Sequence, residues 1–179
     1  MKVFFLFLFA LLLFSGCSSR TLTASQSNPS LLPSYQPIQT QKVFQPQDNL
    51  TSEYSDDAIM QALYDEFEHW NHTPYRYGGT SKYGVDCSSL VQQVYFNALR
   101  VYVPRTTALQ AKVGYRVAKH KSKTGDLLLF RTGRNTRHSG IYLKSGDFIN
   151  TSSKHGVTIS NLNNPYWKSK YWQTRRILP

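Results

Sequence analysis

Residues 83–90, with the sequence YGVDCSSL, put a cysteine at the predicted start of a helix. Asp86 is a favourable N-cap residue, so Cys87 falls in the first turn, where the helix dipole favours a thiolate and backbone N–H groups lack helical acceptors. The chain has two cysteines, and Cys17 lies in an N-terminal export signal, which leaves Cys87 as a free thiol. The pattern indicates a cysteine nucleophile beside an oxyanion-binding site. A buried, unreactive cysteine is the alternative that this helix alone leaves open.

Helical spacing predicts two main helices around this cysteine. The first spans residues 56–70 and is capped by Ser55, and its apolar residues recur at helical intervals. They are Ile59, Leu63, Phe67 and Trp70. The second helix spans residues 87–99, and a short helix is expected after residues 104–107.

Extended patterns replace the helical ones in the second half of the chain. The segments predicted as strands are residues 126–131, 139–143, 147–151, 156–160 and 171–178. A tight turn at residues 144–146 joins two of them as a hairpin. Helices followed by a meander of strands indicate an α+β fold, with the N-terminal helices packed on an antiparallel sheet of about five strands.

His138, 51 residues after the cysteine, is the predicted general base. It begins a strand pattern, so it falls at the rim of the sheet, within reach of a helix terminus packed across that sheet. A third polar group should hold its other ring nitrogen. Asn150 is favoured because the hairpin brings its strand beside that of His138, and His155 in the next turn is the competitor. A metal site at His69 and His72 is disfavoured, because no further ligand lies near them in the sequence.

An ordered set of motifs covers nearly the whole predicted domain. They are YRYGG at residues 75–79, VDCS at 85–88, PRTT at 104–107, GDLLLF at 125–130 and HSGIY at 138–142. Together they resemble the NlpC-type papain-like cysteine peptidases of the bacterial cell wall. NNPYW at residues 163–167 and RRI at 175–177 resemble the lipoprotein branch of that family.

This resemblance implies a papain-like fold and an activity. Cys87 would be the nucleophile, His138 the general base and acid, and Asn150 the third polar member of the site. The substrate would be a peptidoglycan stem peptide, cut at the γ-D-glutamyl-diaminopimelate bond or at the diaminopimelate–D-alanine crosslink. The reaction would pass through an acyl-enzyme and need neither a metal nor an organic cofactor.

The same resemblance implies roles for the residues around the nucleophile. Tyr75 would border the oxyanion or the substrate amine, and Asp86 and Ser88 would line the substrate cleft. Ser89 stands where many relatives have glycine, a difference that would narrow access to the cleft.

The N-terminus resembles a bacterial lipoprotein signal. An apolar run over residues 3–14 is too short to span a bilayer as a helix, and LFSGC at residues 13–17 resembles a lipobox with Cys17 as the lipidated residue. Ser18 favours the outer membrane by the same resemblance, so the expected location is the cell envelope, facing the periplasm. Ordinary secretion with a Cys17–Cys87 disulfide is the alternative.

Three segments are expected along the chain. Residues 1–16 form the signal peptide, residues 17–52 a lipidated and flexible tether, and residues 53–179 the catalytic domain. The tether is rich in Ser, Thr, Gln, Pro and Asn and has no persistent helical or strand period.

The charge distribution is consistent with an anionic partner or with a generally basic surface that aids solubility. Formal net charge is +11, and from Arg100 onwards there are sixteen Lys or Arg residues against two acids. Export argues against nucleic acid and leaves phospholipid, lipopolysaccharide or stem-peptide carboxylates. The resemblances to the peptidase family and to a lipobox imply peptidoglycan and the membrane, through Cys17, as partners, with an envelope regulatory protein as a further candidate. Two other functions stay open: a non-catalytic peptidoglycan-binding lipoprotein, and a thiol-dependent amidase or acyltransferase.

Overall fold

The computed structural model describes residues 55–178, so the predicted signal peptide, Cys17 and the predicted tether lie outside the described residues. Helix α1 (Asp56–Trp70) begins where Ser55 Oγ accepts a hydrogen bond from the backbone N–H of Ala58 at 3.2 Å. The predicted bounds of this helix and its buried apolar stripe are confirmed. No helix of residues 55–178 is long and apolar enough to cross a membrane.

The cysteine lies at the start of α2 (Cys87–Leu99), as predicted. This helix ends at Arg100, whose φ of 54° is left-handed and lets its backbone N–H bond the carbonyl of Phe96. A small hairpin, β1 (Thr80–Ser81) with β2 (Gly84–Val85), precedes α2. The short helix expected after residues 104–107 is α3 (Thr107–Gln110).

One antiparallel sheet follows these helices, and it contains one strand more than the sequence predicts. The strands are β3 (Tyr115–Val117), β4 (Leu127–Arg131), β5 (Arg137–Tyr142), β6 (Asp147–Ser152), β7 (Gly156–Asn161) and β8 (Tyr171–Arg176). Their order across the sheet is β3-β8-β4-β5-β6-β7. The additional strand, β3, has three residues, too few to give an alternating pattern that could be recognised in the sequence.

Two hydrophobic clusters lie on opposite faces of this sheet, because alternate strand residues point in opposite directions. The first contains Leu127, Leu129 and Ile141 and is covered by α1 and α2. The second contains Leu128, Phe130, Phe148 and Leu162. A short helix that the strand and helix patterns do not predict, α4 (Pro165–Lys170), packs on this second cluster through Trp167.

The α+β expectation is confirmed, and the layering positions the site. Helix α2 packs against β5 and β6, so its N-terminus with Cys87 faces the beginning of β5, where His138 lies. The turn between β5 and β6 is tight, with positive φ at Ser145 (53°) and Gly146 (92°), and it places Asn150 of β6 beside β5.

Candidate active site

Asp86 holds the N-terminus of α2 in place. Its Oδ1 accepts hydrogen bonds from the backbone N–H of Ser89 (2.8 Å) and the hydroxyl of Ser88 (3.0 Å), and its Oδ2 accepts one from the backbone N–H of Gly78 (3.1 Å). Arg105 adds a bidentate ion pair, with N–O distances of 2.9 and 2.7 Å. Burial raises the pKa of Asp86, but Arg105, Ser89 and Ser88 outweigh that effect, so its pKa is lowered and it stays ionised.

These contacts give Asp86 and Ser88 a structural role in place of the expected role in lining the substrate cleft. The Asp86 carboxylate is almost fully buried and is surrounded by donors of the protein itself, and Ser88 donates to it while accepting from Arg105. Both residues therefore organise the loop and the first turn of α2, with no free oxygen on Asp86 for a substrate. Ser89 is completely buried, so it does not narrow the cleft.

Cys87 is a free, partly buried thiol with an acidic character. Burial raises its pKa, yet the hydrogen bond and charge of His138, the backbone N–H of Ser139 and the hydroxyl of Thr107 together bring the pKa down to about 7. The Thr107 Oγ1 atom lies 3.8 Å from the sulfur. About half of the cysteine is thus thiolate at neutral pH, whereas an ordinary thiol is only a few per cent ionised.

Asn150 fixes the orientation of the imidazole. Its Oδ1 lies 3.4 Å from Nε2 of His138, and its Nδ2 donates to Ser160 Oγ (2.9 Å) and to the carbonyl of Thr158 (3.3 Å). Because both acceptors hold the amide nitrogen, the amide oxygen must face the ring, and Nε2 must carry a proton to donate to it. This leaves Nδ1 of the neutral ring to accept the proton of the thiol.

The competing histidine lies elsewhere. His155 is exposed in the turn between β6 and β7, where its backbone N–H bonds Ser152 Oγ at 3.2 Å. Asn150, by contrast, is fully buried and in contact with His138. The structure therefore brings together Cys87, His138 and Asn150, and not His155.

Two groups near Cys87 can stabilise negative charge on a substrate oxygen. The backbone N–H of Cys87 has no acceptor among residues 55–178, as expected for the first turn of a helix. Tyr75 is partly exposed, and burial, then the nearby charges of Cys87 and Asp86, raise the pKa of its phenol, which keeps it a neutral donor. Both fit an oxyanion site.

Trp167 is a contact of the imidazole that the helix and strand patterns do not predict. Its indole stacks on the ring of His138, with centroids 5.1 Å apart and an angle of 26° between the planes. It comes from α4, where Asn164 caps the helix and Pro165 occupies the first turn. An Asn-Pro pair is a helix-start signal, so the sequence does contain a pointer to this element.

The sequence of the domain matches the NlpC/P60 family over residues 72–176. The chain belongs to the NlpC/P60 family. Its match covers every residue of the site described above, from Tyr75 to Trp167.

Curated relatives of this NlpC/P60 chain are named as endopeptidases. A Haemophilus influenzae protein named "Probable endopeptidase" is 42% identical over 132 residues, which is 72% of this chain and 82% of the relative. The Escherichia coli "Murein DD-endopeptidase MepS/Murein LD-carboxypeptidase" is 39% identical over 120 residues, 67% of this chain and 64% of the relative. Among solved structures, an NlpC/P60 family protein from Bacillus cereus has a TM-score of 0.60 and 29% identity, covering 67% of this chain and 40% of that one.

Proposed function

We propose that this NlpC/P60 protein is a lipid-anchored peptidoglycan endopeptidase that hydrolyses stem-peptide amide bonds by cysteine catalysis. The observation that carries the proposal is a thiol with a pKa of about 7 that is hydrogen-bonded to His138, whose ring is in turn held by Asn150. The names of the relatives supply the substrate class, since both name endopeptidases and one names murein.

Acylation starts when Nδ1 of His138 takes the proton of Cys87. The sulfur attacks the carbonyl carbon of the scissile amide, and the N–H of Cys87 and the hydroxyl of Tyr75 bind the resulting oxyanion. When the tetrahedral intermediate collapses, the C–N bond breaks and the imidazolium of His138 protonates the leaving amine. A thioester with Cys87 remains.

Deacylation reverses these roles. His138 removes a proton from water, and the hydroxide attacks the thioester carbonyl. The C–S bond then breaks and releases a carboxylic acid, which loses its proton to the solvent, and the sulfur returns to its thiolate–imidazolium form. Asn150 holds Nε2–H throughout, which keeps Nδ1 directed at the sulfur in both steps.

Two bonds are candidates for hydrolysis. They are the γ-D-glutamyl-diaminopimelate bond within a stem and the diaminopimelate–D-alanine crosslink between stems. In both, an amino group of diaminopimelate is the leaving group. The similarity to a murein DD-endopeptidase supports the crosslink.

Digestion of purified sacculi tests this activity. The wild-type chain should release soluble or uncrosslinked muropeptides, and Cys87→Ala should release none, with mass spectrometry identifying the new termini. His155→Ala serves as the matched histidine control and should retain activity, because His155 is exposed and away from the site. Identical muropeptide profiles from wild type and Cys87→Ala, with both proteins bound to sacculi, would instead support a non-catalytic binding protein.

The membrane anchor is a separate part of the proposal. The lipobox-like sequence LFSGC at residues 13–17 supports lipidation of Cys17 and an outer-membrane location facing the periplasm. Cells grown with labelled palmitate should label the wild-type and Cys87→Ala proteins, but not Cys17→Ala, and the label should sediment with outer membranes. Equal labelling of Cys17→Ala would contradict the anchor without affecting the proposed hydrolysis.

A further inference from the structure

The hairpin between β4 and β5 carries an unusual concentration of positive charge. Arg131 ends β4, Arg137 begins β5 and Arg134 lies in the loop between them, and all three are exposed. Arg131 and Arg137 are directly paired across the two strands. Like charges in directly opposed positions of a sheet are destabilising, so this arrangement needs a compensating interaction.

Trp172 supplies part of that compensation. Leu129 pairs with Gln173 and Phe130 with Tyr171, so Trp172 is the extra residue of a bulge in β8. The guanidinium carbons of Arg131 and Arg137 lie 4.5 and 5.6 Å from the centroid of its indole. Both cations are therefore held against one aromatic ring, which attracts them but leaves their charge in place.

No acidic side chain neutralises this pair within residues 55–178. The two ion pairs that arginines form with carboxylates there are Arg105–Asp86 and Arg176–Asp126. Neither Arg131 nor Arg137 takes part in them. Two guanidinium groups are thus fixed side by side with their donors available to an external anion.

The arginine pair lies next to the candidate active site. Arg137 immediately precedes His138, and it shares a sheet face with Ser139, whose backbone N–H bonds the Cys87 sulfur. Residues two apart on a strand are separated by about 7 Å. Strand alternation puts both arginine side chains on the sheet face that packs against α2, the helix that begins with Cys87. The pair lies at the same end of β5 as His138, which protonates the leaving amine in the proposed mechanism.

We propose that Arg131 and Arg137 form a carboxylate-binding subsite for the diaminopimelate residue on the leaving-group side of the scissile bond. This inference rests on the proposed function, in which diaminopimelate provides the leaving amine of either candidate bond. A planar guanidinium matches a carboxylate in a bidentate geometry, and two adjacent ones select an anionic residue over its neutral amide. The enzyme should therefore prefer peptidoglycan in which this diaminopimelate carboxylate is free to peptidoglycan in which it is amidated.

The test compares two crosslinked muropeptides that differ only in whether the diaminopimelate carboxylate is free or amidated. Arg131→Gln and Arg137→Gln, made in the full chain, should each lower kcat/KM on the free carboxylate about tenfold, mainly through KM, as for the loss of one charge-assisted hydrogen bond. Both should change the amidated substrate little. Arg134→Gln is the matched control and should behave as wild type. It removes the same charge from the same hairpin, but Arg134 is not one of the arginines that lie over Trp172.

Two results would overturn the subsite: an equal loss on both substrates, or an equal loss in Arg134→Gln, since either indicates general attraction by a basic surface. A parallel binding measurement separates this inference from the proposed function. With Cys87→Ala as background, the free-carboxylate muropeptide should bind about tenfold more tightly than the amidated one, and the preference should vanish when Arg131 and Arg137 are changed to Gln. If wild type cleaves neither substrate, the proposed hydrolysis fails, while this binding preference still decides the subsite.

Discussion

At the scale of single residues, opposing effects determine the pKa of the Cys87 thiol. Burial favours the neutral thiol, whereas the imidazole of His138 and the donors of Ser139 and Thr107 favour the thiolate. The donors prevail, and the pKa of Cys87 falls to about 7. The balance depends on the imidazole above all, because it contributes both a hydrogen bond and a charge.

The rate of alkylation of Cys87 by iodoacetamide should therefore follow a titration with a midpoint at pH about 7. Since the thiolate is the reactive form, the rate should rise with pH through this midpoint and level off above it. In His138→Ala the opposing burial remains, so the midpoint should move well above 7. The measurement is a pH series of alkylation rates followed by mass spectrometry, and a His138→Ala midpoint unchanged from wild type would contradict the assigned contact.

Asn150 and its hydrogen-bond partner Ser160 should show graded effects on catalysis. Asn150→Ala removes the acceptor of Nε2–H and should lower kcat roughly 100-fold, within the range of general acid–base contributions. Ser160→Ala removes one of the two acceptors that orient the Asn150 amide, so a smaller loss, about threefold to tenfold, is expected. Kinetics on a defined muropeptide would measure both, and a Ser160→Ala loss as large as that of Asn150→Ala would exclude an orienting role.

At the scale of elements, α4 acts as a cover over the back of the imidazole. Trp167 stacks on His138 and also contacts two rings of the second hydrophobic cluster. Its ring centroid lies 4.9 Å from that of Phe130 and 5.3 Å from that of Phe148. The indole thus joins the site to the sheet and keeps one face of the ring away from water.

Replacing Trp167 should show whether the indole orients the His138 ring or binds the substrate. Trp167→Ala frees the imidazole, so kcat should fall about tenfold while KM changes little, and Trp167→Phe should restore most of the loss because a ring remains to stack on His138. Steady-state kinetics of the two variants, with circular dichroism to confirm that both fold, provide the measurement. A loss in KM alone, or no recovery with Phe, would show that the indole binds substrate instead.

Elements with strong local signals could be predicted from the sequence, and those defined by distant contacts could not. The bounds of α1 and α2 follow from their caps and apolar spacing, and the hairpin between β5 and β6 follows from residues 144–146. Strand β3 depends on pairing with β8, some sixty residues away in the chain, and its three residues carry no pattern of their own. The stacking of Trp167 on His138 likewise needs the tertiary arrangement of α4 over β5.

The same distinction applies to the candidate site. A cysteine behind an N-cap and a histidine at a strand start are local signals, so Cys87 and His138 could be predicted. The hydrogen bonds that occupy both oxygens of Asp86 could not be predicted, because its partner Arg105 comes from a loop beyond α2. The pairing of Arg131 with Arg137 on Trp172 depends on strand register and a bulge, which sequence patterns leave open.

At the scale of the whole molecule, a largely buried ion pair joins two neighbouring strands in the middle of the sheet, β4 and β8. Asp126, just before β4, is almost completely buried, and Arg176, at the end of β8, forms two hydrogen bonds of 2.8 Å with it. The bond to Asp126 raises the pKa of Arg176, which keeps this arginine charged.

Breaking this pair should destabilise the domain. Arg176→Ala leaves a buried carboxylate without its partner, so the free energy of unfolding should fall by about 3 kcal/mol. Arg134→Ala removes an exposed arginine that forms no ion pair among residues 55–178. This change should alter the free energy of unfolding by less than about 0.5 kcal/mol. Urea denaturation of the two variants measures the difference, and equal stabilities would mean that the pair contributes nothing net.

The position of β8 also determines when this fold can form. Residues 171–176 form the last strand within residues 55–178, yet they lie between β3 and β4 in the sheet. A nascent polypeptide therefore cannot complete the sheet until residues 171–176 have emerged from the ribosome. Until then β4 has only β5 beside it, and Asp126 lacks its counterion. The sheet therefore closes in one late step, in which β8 pairs with its two neighbours and Arg176 neutralises Asp126.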